Sequence, residues 1–197
     1  VCELTLLSLK NYEDNALKNF IIKNNKDYDF RSNYEAFIDY KRIDKNYVTP
    51  VLPKHFIFSY DVKFYPLAGI PNKPVVSCNE NGYFATYKND RFGFNNPDSQ
   101  WDMKTLDYVL LGDSATHGDC VNEPDTIGGK LRSYDNVNGL LNLAQAGNDQ
   151  LTEYATLKEY IPKSKVKNVL IFYHENNDLP GLSFSLKHPI LKRYYYE

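Results

Sequence analysis

Hydrophobic positions change their spacing along the chain. From Glu3 to about Asn25, Leu6, Leu9, Tyr12, Leu17, Phe20 and Ile21 recur at roughly helical spacing while Lys and Asn fill the other side, which predicts an amphipathic helix. In the mixed stretch "KDYDFRSNYEAFIDYKRIDKNY" a short helix is expected around Tyr34 to Tyr40, and the two prolines of "TPVLPKH" read as a linker. Between His55 and Asn95 the spacing falls to two. Phe56, Phe58, Tyr60, Val62 and Phe64 alternate with other residues as a half-buried strand would, and "NENG" ahead of "YFATY" reads as a tight hairpin turn. A small antiparallel unit is expected there.

From Leu106 the pattern changes again. "LDYVLLG" reads as a continuous apolar strand, "EPDTIGGKLRSY" as a short helix with Pro124 near its start, and "NGLLNLAQAG" as a second apolar strand. "DQLTEYATLKEYI" carries Leu151, Tyr154, Leu157 and Ile161 on one helical stripe, and "KNVLIFYHENND" is a third strand that ends in polar residues. Strands alternating with helices predict a parallel, three-layer α/β sheet. The chain then divides into a helical segment over 1–50, a β-rich unit over 51–100 and an α/β core over 101–197.

Composition narrows the partners. A formal net charge of -2 gives no global field for nucleic acid or an anionic membrane. No apolar run reaches membrane-spanning length. The 17 tyrosines suit either a packed core or a carbohydrate- or protein-contact surface. Three cysteines, Cys2, Cys78 and Cys120, form neither a C-x-x-C nor a Cys/His cluster, so no zinc site, other metal or cofactor is expected; one disulfide is open among them. A start at Val1 and a stop within "LKRYYYE" suggest a piece of a longer protein, with any leader or membrane anchor lost with the N-terminus. Oligomeric state has no signature.

The candidate chemistry lies at the strand ends, where ligand sites gather in open parallel sheets. The three strands end in "GDS", "QAGND" and "ENND". Ser114, on a sharp strand-to-helix turn, is placed to expose a nucleophilic hydroxyl; Gly112 permits the tight approach and Asp113 holds the turn. Ser114 or Asp113 equally suits a helix N-cap. Gly147 offers a bare backbone N–H or a plain turn, and Asn177 offers a side-chain donor or a helix cap. The N–H groups of Ser114 and Gly147 and the Asn177 amide would together make an oxyanion hole, in which one donor is worth about 3 kcal/mol.

These three pieces, in this order, resemble the SGNH hydrolases, the GDSL-like esterase and acylhydrolase family. "GDSATHG" resembles its serine block, "NLAQAGN" the block with the glycine donor, and "ENND" the Gly-x-Asn-Asp block, with Glu175 in place of the glycine. "DRFGFNNPDSQWD" is similar to the segment ahead of the serine in bacterial, envelope-associated members. The resemblance covers about Asp90 to Leu179. It implies a flavodoxin-like α/β core, here C-terminally truncated. It also implies a serine ester hydrolase or O-acyltransferase acting on an acylated carbohydrate or small carboxylic ester, and an extracytoplasmic location. A non-catalytic binding or assembly module on the same scaffold is the alternative.

One block of the family pattern is missing. The family's Asp-x-x-His near the C-terminus has no counterpart, since His188 has no Asp three residues before it. Without a base a serine is a weak nucleophile, so the expectation is a base beyond Glu197 or an inactive protein. His117 and His174 are assigned structural or supporting roles, His174 buried or near the site, and Asp178 supports the third block. The acids Asp119, Glu123 and Asp125 read as a solvated loop, and Trp101 as packing at a junction. A nucleotide-binding reading of "GDSATHG" ranks last, because neither a Gly-x-Gly-x-x-Gly nor a Walker lysine is present.

Overall fold

A computed structural model describes residues 19, 21–24, 27–161 and 165–196; for Asn176 and Asn177 only the backbone is described. The predicted N-terminal helix lies largely outside the described residues, of which 19 and 21–24 are helical. Helix α1 spans Asn33–Ile43. Its start is fixed by a capping box: the Glu35 N–H donates to Ser32 Oγ at 3.2 Å, and the Ser32 N–H donates to the Glu35 carboxylate at 2.8 Å. Ala36 on its inner face packs with Val76 and Phe84 of the β-rich unit.

That unit is a two-stranded antiparallel ribbon, β1 (Pro74–Val76) and β2 (Thr86–Lys88), in the register Pro74↔Lys88 and Val76↔Thr86. The tight turn expected at "NENG" is instead the middle of a longer connection, closed by the Ser77 N–H on the Ala85 carbonyl at 2.8 Å. A disulfide joins Cys78 in this connection to Cys120, 42 residues on. The alternating strand expected from Phe56 to Phe64 does not form. Pro53–Phe56 is a 3-10 turn, Phe58 and Phe64 are exposed, and Ile57 and Tyr65 are drawn into a core cluster with Leu151 and Ala155. An alternating run becomes a strand only when a neighbouring strand takes up its ladder, and here Ile57 and Tyr65 pack instead onto the helical layer.

The rest is mixed α/β. Three parallel strands, β3 (Leu106–Leu111), β4 (Leu140–Asn142) and β5 (Val166–Ile171), are ordered β4-β3-β5. Tyr108 pairs with Leu140 on one side and Asn168 on the other. Between the strands run α2 (Ser114–His117), α3 (Ile127–Arg132) and α4 (Gln150–Tyr160), followed by α5 (Glu175–Ser185) and α6 (Leu191–Tyr196). Val109, Leu111, Leu141 and Leu143 meet Phe94 and Ile161 on one face of the sheet. On the other, Asn142 Nδ2 donates to the Thr116 carbonyl of α2 at 2.6 Å. Of the two outer strands, β4 is buried throughout, whereas β5 leaves Val169 and Ile171 exposed.

Two further expectations change in detail. The stripe on α4 holds except at one position: Leu151 and Ile161 are buried and Leu157 packs against the core, but Tyr154 is exposed, and Thr152, Glu153, Ala155 and Thr156 join the buried face. The polar ends of the third strand are already helical, since "ENND" is the first turn of α5. Trp101 packs at the junction as expected, edge-on to Phe92, with its Nε1 donating to Asp90 at 2.7 Å.

Candidate functional site

The order β4-β3-β5 places the first strand between the second and third, so the chain winds in opposite directions from β3. Such a switch point opens a crevice at the carboxyl ends of the strands. A cleft of about 570 Å³ lies there, lined by Ser114, Gly147, Asn148 and Asp149 from the ends of β3 and β4, by Lys54 and Tyr65 from the β-rich unit, and by Gly181 and Phe184 of α5. The Cys78–Cys120 disulfide is part of its wall.

Ser114 is the first residue of α2, half-buried, and Asp113 is the N-cap, its carboxylate accepting from the Ala115 N–H at 3.2 Å. The cap of "GDS" is therefore the acid, Asp113, and Ser114 lines the cleft. Gly112 has to be glycine, because a Cβ there would meet Thr116 Cβ at 2.8 Å inside the turn. Gly147 has φ 78° and lies under the stem of Lys54, whose Cγ would be 2.9 Å from an added Cβ. The left-handed backbone at this position favours glycine whatever the space.

Asn177 lies in the first turn of α5, and its side chain is outside the described ones. Asp178 is buried and accepts the His174 N–H at 2.7 Å, which closes that first turn. His174 is neither buried nor in the cleft: it is the exposed N-cap residue of α5. The strand stops at Ile171, three residues before it, so the alternation that would have turned its side chain inward has already ended.

His117 is buried, and both ring nitrogens are engaged. Nδ1 lies 3.0 Å from the Ala144 carbonyl, which only accepts, so Nδ1 is the donor. Nε2 lies 3.1 Å from the Tyr87 hydroxyl and 3.6 Å from Asp119 Oδ1. This ring ties α2 to the sheet and to the β-rich unit, the structural role expected of it. His188 is also buried, between Tyr60 and Tyr65, with Nε2 donating to the Ser59 carbonyl at 3.3 Å; burial lowers its pKa. No described histidine lines the cleft.

Sequence reasoning passed over a set of buried carboxylates beneath the cleft. Asp149 caps α4, accepting from the Leu151 and Thr152 N–H groups at 2.9 and 3.2 Å, and takes a short hydrogen bond from the Ser185 hydroxyl. Burial raises its pKa and that of Asp178. Glu153, 2% exposed, has no hydrogen-bond partner for either oxygen among the described residues. Burial, with the charges of Asp178, Asp149 and Asp113 added, pushes it up to about 8. The "ND" before "QLT" signalled the cap; nothing in the sequence distinguished Glu153 from a solvated helix residue. Asp119, expected in a solvated loop, lines the cleft with its pKa raised by burial, against the pull of His117 and Lys54.

Among the described residues no group of three or more His, Cys, Asp or Glu side chains is arranged to hold a metal ion, and no helix is long and apolar enough to cross a membrane. What fold and site define together is a mixed α/β protein with a serine-bearing cleft at the carboxyl ends of a parallel sheet. No family model, curated protein or solved structure matches the chain.

Proposed function

We propose that this protein is a serine ester hydrolase or O-acyltransferase of the SGNH type, with Ser114 as the nucleophile. The observation that carries the reading is the meeting of Ser114 and Gly147 on one cleft at the switch point of the sheet. Ser114 Oγ would attack the acyl carbonyl, and the alcohol would leave with a proton. The negative charge on the carbonyl oxygen would fall near the N-terminus of α2, stabilised by the N–H groups of Ser114 and Gly147 and by the Asn177 side chain. Water or a second alcohol would then take the acyl group from the serine.

The reaction needs a proton acceptor beside Ser114, and no described histidine provides one. The same observation favours a second reading, a binding or assembly module that keeps the scaffold without the chemistry. Hydrolysis of p-nitrophenyl acetate by the protein and by its Ser114→Ala variant separates the two. The ester-cleaving reading expects a loss of about a hundredfold or more in the variant; equal rates would leave only the binding module.

A further inference from the structure

We infer that the cleft accepts an uncharged, hydroxyl-bearing alcohol portion and turns away an anionic one, and that Asp119 sets this preference. The inference builds on the reading of Ser114 as the residue that meets the ester.

Asp119 is held in register with Ser114 by the backbone. The N–H groups of Gly118 and Asp119 both donate to the Ser114 carbonyl, at 3.1 and 3.0 Å, so α2 ends after one turn. Gly118, at φ 85°, turns the chain back toward the cleft. The next residue, Cys120, sits at φ 58°, a conformation that costs a non-glycine residue energy and persists where the surroundings enforce it; here the bond to Cys78 does so. On the far side, His117 Nε2 stands 3.6 Å from Asp119 Oδ1.

The charges lining the cleft are Glu80, Asp119 and Asp149 against Lys54. Asp149 is committed to its cap and to Ser185, which leaves Glu80 and Asp119 to face a ligand. A second, independent group lines the same cleft. Asn148 lines the cleft, is 3% exposed, and its Nδ2 has no hydrogen-bond partner among the described residues. A hydroxyl both donates and accepts, so it suits an amide N–H and a carboxylate alike, and Asn148 and Asp119 offer both to this cleft. A carboxylate or phosphate satisfies the amide alone and sets like charge against Asp119 and Glu80.

The test compares methyl β-glucoside with methyl β-glucuronide, which differ by a hydroxymethyl against a carboxylate. Binding to the Ser114→Ala chain is titrated by NMR at neutral pH, with Asp119→Asn and Glu80→Gln added singly. The expected result is a preference of about tenfold for the neutral sugar, cut to about twofold by Asp119→Asn and less by Glu80→Gln. Equal or tighter binding of the glucuronide, no saturable binding of either sugar, or a ratio unmoved by Asp119→Asn would overturn the inference. Because the serine is absent, the titration is independent of turnover; a sugar preference without p-nitrophenyl acetate hydrolysis would sink the ester-cleaving reading and not this one.

Discussion

The Nδ1 of His117 donates to the carbonyl of Ala144 across 3.0 Å, which bolts the helix that starts at the serine to the loop that carries Gly147. The other nitrogen reaches Tyr87 in β2, so one ring spans three segments of the chain. Its removal leaves a buried carbonyl and a buried hydroxyl without partners and opens a cavity. The His117→Ala variant is expected to lose about 3 kcal/mol of stability in urea unfolding. A loss under about 0.5 kcal/mol would mean that the ring is not the tie described.

Glu153 gives the protein a pH-dependent stability of unusual sign. Its carboxyl, raised from 4.5 to about 8, holds a proton in the folded chain that the unfolded chain releases. The unfolded state therefore binds fewer protons between these values, and folding stability falls as pH rises through that window, by up to about 1.4 kcal/mol per pH unit. Glu153→Gln keeps the shape and removes the charge. Unfolding followed at pH 5 and pH 8 is expected to show the variant more stable by about 2 kcal/mol or more at pH 8, with little gain at pH 5. Equal gains at both would assign the effect to something other than ionisation.

The disulfide closes a loop between residues 42 apart. On the chain-entropy account a loop of that length is worth about 4 kcal/mol. Replacing Cys78 and Cys120 together by serine is expected to lower the melting temperature by about 8–16 °C if the β-rich unit and the α/β core unfold as one. Two separate transitions in the calorimeter would show instead that the bond joins units that fold apart.

Much of the α/β order was legible in the sequence. The apolar run Tyr-Val-Leu-Leu of β3, closed by Gly112, marks a buried strand, and the Asp-Gln-Leu-Thr start of α4 carries its own cap. The β-rich unit was less legible because its alternation had no ladder partner, so Ile57 and Tyr65 took the burial that Phe58 and Phe64 were expected to share. Of the site, Ser114 and Gly147 line one cleft, although the strand expected to lead to Gly147 stops at Asn142, five residues before it. Asp119, Asn148 and Glu153 were hidden for one reason. Their burial comes from long-range packing, the disulfide and the α4–α5 contact, and a local pattern carries no trace of that.

The sheet order has a practical consequence at β5. Among the described residues no strand pairs with its outer side, and Val169 and Ile171 there are exposed. Such an edge is a template for another extended chain, and the usual guard against it is charge. Lys167 is the only charged side chain in the strand, and it is drawn to Asp107 at 2.8 Å. In concentrated solution, the six residues from Val166 to Ile171 are where clumping of this 197-residue polypeptide would begin.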